Sequence, residues 1–232
     1  MNRKRFPLWS FPPHELSLNK GEVHLWRISL DLPSATLDEL KNLLNKEEKK
    51  RAERLLDNEK ARGFIAARGR LRQVLGRYLH LSPGEVQFSY NPNGKPELQG
   101  NEKMGLHFNL SHSGSWALLA LTKGLQVGVD LEWIDADADY EKIAAQFFSS
   151  AEKEVLLKFS EARRRRGFYR IWTKKEAALK CLGHGFTSPE EAEKELLKRS
   201  LWCTTFPVTK NFIGSLSVEG GVDLVCKWEW AL

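Results

Sequence analysis

Residues 106–133 read LHFNLSHSGSWALLALTKGLQVGVDLEW, and this run decides the fold. Leu106, Phe108 and Leu110 alternate with His107, Asn109 and Ser111, so one face of an extended segment is apolar and the other polar. Gly114 permits a corner, Trp116–Leu121 is a second extended run, and Lys123-Gly124 turns the chain into a third, Val127–Trp133. Three strands joined by tight turns make an antiparallel meander. In the third strand residues two apart share a face, which aims Asp130 and Glu132 at one point and buries Val129 and Leu131 on the other side. Two like charges so placed are either solvated at an exposed strand end or arranged around a cation. Hard oxygen donors favour Mg²⁺, Mn²⁺ or Ca²⁺ over softer metals.

Working outward, Asn91-Pro92-Asn93-Gly94-Lys95-Pro96 is the densest turn signal in the chain, and Val86–Tyr90 before it reads as a strand. Phe64, Ala67, Leu71, Leu75, Tyr78 and Leu79 keep helical spacing up to Ser82-Pro83-Gly84, Leu37 to Leu44 do so over a shorter stretch, and Val23–Leu30 alternates as a strand. Downstream, a helix is expected over about 150–159, a break at the Arg163–Arg166 run, a helix over about 167–182, then a Gly183-His184-Gly185-Phe186 turn and late strands near 216–218 and 222–230. Each half reads as helices plus a meander. The expected class is therefore α+β, in two packed lobes of residues 1–114 and 115–232, with a ligand crevice between them.

Composition narrows the function classes. With 232 residues, 41% hydrophobic and 10% aromatic, the chain can bury a core and is not a disordered or coiled-coil protein. No apolar stretch approaches the roughly 18 residues of a membrane span. Met1–Trp9 is basic but lacks the apolar region of a secretory leader. Cys181, Cys203 and Cys226 have neither metal-site nor disulfide spacing, which fits a reducing cytoplasm. The net charge of +6 has a location: Lys46–Arg77 carries eleven bases and five acids, while Asp130–Glu141 carries six acids and no base. The basic zone is either a solvated helix face or a site for a polyanion such as phosphate or nucleic acid.

Three further constellations bear on chemistry. Trp172, Glu176 and Lys180 fall four apart on one helix face, either as a surface ion pair or at the edge of the core set by Phe168, Ile171 and Trp172. Ser111-His112-Ser113 offers hydroxyls and an imidazole in one corner, which suits a phosphate or a plain polar turn. A hydrolase triad fits less well, because no Gly-x-Ser-x-Gly elbow is present and a Ser adjacent to its His has poor geometry for attack. Gly94-Lys95-Pro96, taken alone, is a hairpin turn.

In chain order, Gly94-Lys95-Pro96, Phe108-Asn109-Leu110-Ser111-His112-Ser113, Gly128-Val129-Asp130-Leu131-Glu132 and Trp172-Thr173-Lys174-Lys175-Glu176-Ala177-x-x-Lys180-x-x-Gly183-x-Gly185 resemble the motifs of the Sfp-type 4′-phosphopantetheinyl transferases, over about Lys46 to Thr187. The resemblance implies two related α+β lobes with coenzyme A between them. It implies transfer of the 4′-phosphopantetheine arm to a serine of an apo acyl or peptidyl carrier protein with release of 3′,5′-ADP, dependent on Mg²⁺ or Mn²⁺. By the same resemblance Asp130, Glu132 and Glu176 hold the metal and Lys180 neutralises a phosphate oxygen; the weak serine nucleophile also calls for a base, for which Glu176, directly or through a metal-bound water, is the first candidate and Glu132 the second. Ser111 and His112 contact the phosphates, Gly94, Lys95 and Pro96 wall the adenine, Arg51 and Arg62 meet the 3′-phosphate, and Lys175 reaches the cofactor. The expected protein is a cytoplasmic monomer without nucleic-acid or membrane partners. The competing functions are a Mg²⁺-dependent nucleotide phosphohydrolase and a nucleic-acid-binding module using residues 46–77.

Overall fold

Alternate burial in the 106–133 run builds two sheets that share one core. A computed structural model describes residues 8–100, 104–183 and 188–230. In chain order it contains β1 (Glu22–Ser29), α1 (Ser34–Leu43), α2 (Lys46–Glu53), α3 (Asn58–Leu79), β2 (Phe88–Tyr90), β3 (Pro96–Leu98), β4 (Leu106–Ser113), β5 (Trp116–Lys123) and β6 (Val127–Trp133). There follow α4 (Tyr140–Phe147), α5 (Ser150–Leu157), α6 (Glu161–Leu182), α7 (Pro189–Leu197), β7 (Leu201–Thr209), β8 (Phe212–Glu219) and β9 (Leu224–Glu229). The fold is α+β, as the sequence predicts. One sheet has the order β4-β5-β1-β9, another β6-β8-β7, and β2-β3 form a small hairpin.

The layers follow from which side chains each strand turns inward. Trp26 and Ile28 of β1 and Leu119 and Leu121 of β5 pack with Leu40 of α1 and Leu71 and Leu75 of α3. From the same two strands, Val23, Leu25, Leu118 and Ala120 point the other way, against Val127, Val129 and Leu131 of β6 and Leu216 and Val218 of β8. The outer face of the second sheet is covered by α6, whose Thr173 Oγ1 lies 2.8 Å from Ser215 Oγ of β8. The result is a helix–sheet–sheet–helix sandwich.

The topology is duplicated. In the first unit β1 is followed by helices that end in the 22-residue α3 and then by the β4–β5 hairpin, with β5 seated between β4 and β1. In the second, β6 is followed by helices that include the 22-residue α6 and then by the β7–β8 hairpin, with β8 seated between β7 and β6. All four pairings are antiparallel. The repeat of strand order breaks at residues 124–126, after β5, whereas the sequence reading places the lobe boundary at 114/115. That boundary falls at the tip of a hairpin whose strands pair from Leu106↔Lys123 to Ser113↔Trp116. The last strand, β9, crosses back to pair in parallel with β1.

Two local readings are corrected. The Arg163–Arg166 run is no break, because it lies within α6, and arginine is a good helix former. Strand β7 contains Pro207 and so hides from a pattern reading. It is tolerated because β7 is an edge strand with a register shift between Pro207 and Thr209. Of the Gly183–Phe186 turn, His184, Gly185 and Phe186 lie outside the described residues, as does Met1–Pro7 of the basic arm.

Candidate active site

Gly128 sets the distance between α6 and β6. A Cβ there would stand 2.1 Å from the Ala177 carbonyl oxygen and 2.3 Å from the Cys181 nitrogen, so the helix backbone lies directly on the strand. With α6 this close, its Trp172–Glu176–Lys180 stripe is half-buried above Asp130 and Glu132, while Val129 and Leu131 of β6 are in the core. The alternation read from β6 and the four-residue spacing read from α6 thus meet at one place.

Asp130 is 3% exposed. Its Oδ1 accepts hydrogen bonds from Lys180 Nζ at 2.6 Å and Ser111 Oγ at 3.0 Å, while Oδ2 is buried with no hydrogen-bond partner. A buried carboxylate oxygen left unpaired costs about 1–3 kcal/mol or more. Glu132 accepts from Ser113 Oγ at 3.1 Å and from the Trp172 side chain. Its pKa is pushed up to about 7, first by burial and then by the Asp130 charge, with those hydrogen bonds and Lys180 opposing. Burial also raises the pKa of Glu176, with Asp130 adding to the rise and Lys180 and Lys175 opposing it. Among the described residues no three His, Cys, Asp or Glu side chains are gathered closely enough to form a ready-made metal cage. Lys180 supplies the counter-charge to Asp130 instead. The donor set nevertheless fits a hard divalent cation: three carboxylates in one field, one oxygen orphaned, and two pKa values raised by burial with the Asp130 charge adding to it.

A basic cavity of about 440 Å³ is lined by Glu47, Glu48, Lys50 and Arg51 of α2 and Arg54 just after it, with Phe64 and Tyr90. Arg51 stacks over the Phe64 ring at 5.2 Å. His112 links this cavity to the acid site electrostatically. Its pKa is lowered first by desolvation, then by Lys180 and by Arg51, so the imidazole is neutral and sits in the field of both cations. Much of the basic segment is internal: Glu48 pairs with Arg72 at 2.8 Å and Arg68 at 3.4 Å, and both arginines stack on Phe88.

Several expected contacts are relocated. Lys175 does not join the stripe, being one residue, or about 100°, away from Glu176 around the helix. Its ammonium is buried on Glu152 and the Phe147 carbonyl, both at 2.8 Å. It lines a different cavity, of about 550 Å³, together with Ile171, Lys174, Ala178 and Leu196, and none of the four site residues borders that space. Arg62 donates to the Leu32 carbonyl at 3.1 Å and to Ser34 at 3.4 Å and does not line the basic cavity. Ser111 is buried and its hydroxyl is fully engaged, accepting from Lys180 and the Leu131 N–H and donating to Asp130, which leaves no proton for a phosphate. Lys95 Nζ bonds the Val127 and Lys180 carbonyls at 3.1 and 2.8 Å, and Asn93 Nδ2 reaches the Gly183 carbonyl at 2.8 Å. The Asn91–Pro96 turn, with Gly94 at φ 79°, therefore clamps the C-terminal end of α6, where a cation meets the negative pole of the helix. Gly128 and Asn109 stand inside the quoted motifs, but sequence reasoning gave neither a role. The glycine inside a strand and the Asn109-x-Ser111-x-Ser113 alternation were the available signals.

Comparison with known proteins follows this division. Residues 33–124 match the family described as 4′-phosphopantetheinyl transferase, N-terminal, and residues 126–208 match the 4′-phosphopantetheinyl transferase superfamily. The 4′-phosphopantetheinyl transferase HetI of Nostoc sp. is 43% identical over 80% of this chain and 78% of its own. A putative 4′-phosphopantetheinyl transferase of Synechocystis sp. is 36% identical over 72% and 67%. The 4′-phosphopantetheinyl transferase Sfp of Bacillus subtilis is 28% identical over 64% of each.

Proposed function

The chain belongs to the 4′-phosphopantetheinyl transferase superfamily, and we propose that it is an Sfp-type enzyme whose Asp130, Glu132, Glu176 and Lys180 carry out the transfer. It moves the phosphopantetheine group of coenzyme A to a carrier protein. The observation that carries the site assignment is the buried, unpartnered Oδ2 of Asp130 beside a Glu132 whose pKa is pushed up to about 7. Such a pair is stable with both groups ionised only when a cation compensates them. Asp130, Glu132 and Glu176 would hold Mg²⁺ or Mn²⁺, which when bound neutralises pyrophosphate charge.

The chain's own residues account for the rest. Coenzyme A lies from the basic cavity to the acid site, with Arg51 and neutral His112 at its phosphates and Lys50 and Arg54 adding positive potential. Lys180 neutralises charge that develops on the pyrophosphate oxygen as the phosphorus–oxygen bond to 3′,5′-ADP breaks. The new bond joins that phosphorus to the carrier serine Oγ. Glu176 takes the hydroxyl proton. Lys95 and Gly94 act by fixing the end of α6 that carries Lys180. The reading includes a cytoplasmic protein acting as a monomer, since one chain supplies the whole site. Among the described residues no helix is long and apolar enough to cross a membrane.

The test mixes the protein with coenzyme A, Mg²⁺ and an apo carrier protein and reads intact mass. One added phosphopantetheine arm, lost when the metal is chelated, is the expected result. Coenzyme A cleaved without any gain of carrier mass would assign the group to water and refute the transferase.

A further inference from the structure

Strands β4 and β6 are edges of different sheets, and among the described residues no backbone ladder joins them. Side chains join them instead. Asn109 Oδ1 accepts the Val129 N–H at 2.8 Å, Ser111 Oγ the Leu131 N–H at 3.3 Å, and Ser113 Oγ the Trp133 N–H at 3.1 Å. The period-2 spacing of β4 matches that of β6, so alternate residues of one strand satisfy alternate amides of the other. Each serine then has one proton to give, and it goes to the carboxylate that precedes the bonded amide: Ser111 to Asp130 Oδ1 and Ser113 to Glu132 Oε2, at 3.0 and 3.1 Å. At the Asn109 rung the residue preceding the amide is Gly128, where α6 passes.

We propose that Ser113, in line with Asn109 and Ser111, is a positioning residue. It ties the Glu132 carboxylate and the Trp133 amide to the first unit, so that this unit orients the acids of the second. A backbone ladder could fix the strand spacing but not the carboxylate rotamers, whereas a hydroxyl bridging amide and carboxylate fixes both. The inference rests on the reading of Asp130 and Glu132 as ligands of a divalent cation. Ser113 is partly exposed at the strand end, so its replacement opens no core cavity.

The test measures Mn²⁺ binding by electron paramagnetic resonance in the presence of saturating coenzyme A and no carrier, for wild type, Ser113→Ala and Ser113→Thr. Thermal unfolding is recorded alongside. Loss of a hydrogen bond to a metal-holding carboxylate typically weakens metal affinity about 10–100-fold. The expected result is a loss in that range for Ser113→Ala at nearly unchanged melting temperature, with Ser113→Thr restoring affinity because it keeps the hydroxyl. If wild type binds Mn²⁺ and Ser113→Ala binds equally well, the positioning role is overturned and the cation reading stands. If wild type binds none, the cation reading falls and the positioning role falls with it.

Discussion

Replacing Gly128 with alanine tests the contact on which the site is built. The added Cβ would lie 2.1 Å from the Ala177 carbonyl oxygen, 2.3 Å from the Cys181 nitrogen and 2.9 Å from its Cα. All three are helix backbone, so no side-chain rotamer can relieve the clash. Ordinary contact between heavy atoms needs about 3.5 Å, and α6 must therefore retreat from β6 by about 1 Å or more. Overpacking of this kind costs about 1–3 kcal/mol, which for a chain of this size lowers the melting temperature by about 2–12 °C. The functional effect is larger, because Trp172, Glu176 and Lys180 ride on the helix that moves while Asp130 and Glu132 stay on the strand. The 2.6 Å Lys180–Asp130 contact has no slack. Misplacement by about 1 Å costs on the order of 100-fold in rate. Carrier loading followed by intact mass should fall by that factor, while coenzyme A binding by calorimetry changes less, since the basic cavity is built largely on α2. Gly221→Ala is the control, with nothing within 4 Å of its Cβ, and should stay within about 0.5 kcal/mol of wild type. A Gly128→Ala protein with unaltered melting and rate would refute the claim that this contact positions α6.

Glu176→Gln keeps shape but cannot accept a proton, so transfer should drop by at least about 100-fold while coenzyme A binds within a few-fold of wild type; near-normal turnover would remove Glu176 as base. His24 is buried against Tyr78, 2.7 Å away, and its pKa is lowered to about 4, chiefly by desolvation. Its contribution is constant above the unfolded value of about 6.5; as pH falls from there to about 4 the unfolded chain gains a proton that the folded one refuses, at a cost of about 3 kcal/mol. Urea unfolding at several pH values should show that decline in wild type and a shallower one in His24→Gln, and parallel curves would contradict it. Gly63 sits inside α3 with nothing within 4 Å of a Cβ, so Gly63→Ala should raise stability by about 1 kcal/mol, and any fall in melting temperature would count against that helix assignment.

What could be read in advance was what is local. The alternation that buries Val129 and Leu131 and turns Asp130 and Glu132 outward needs only the strand period, and Trp172–Glu176–Lys180 needs only the helix period. The place of Lys175 was not legible, because membership of a motif says nothing of azimuth, and one residue along α6 places its ammonium on Glu152. The contacts of Arg62 and Ser111 with the Leu32 carbonyl and the Leu131 N–H were not legible either, because the position of those backbone groups depends on tertiary packing. A hairpin tip and a unit boundary look alike in sequence until strand pairing is known, as at Gly114. Pro207 concealed β7, which only the edge position of that strand makes acceptable.

The duplicated topology also bears on how a chain with a net charge of +6 keeps a cluster of acids in its second unit. Both units pack a 22-residue helix on a sheet, but they treat buried charge differently. In the first, Glu48 faces two guanidinium groups, Arg72 at 2.8 Å and Arg68 at 3.4 Å, and Arg72 also donates to the Pro83 and Val86 carbonyls, so positive charge exceeds negative there even though Glu48 Oε1 makes no hydrogen bond. In the second, Asp130 meets one ammonium and keeps an oxygen unpaired. A carboxylate already engaged by two guanidinium groups has little to offer a further cation, whereas one held from a single side does. The first unit therefore supplies positive potential, the second supplies acids short of counter-charge, and the two meet along the β4–β6 seam.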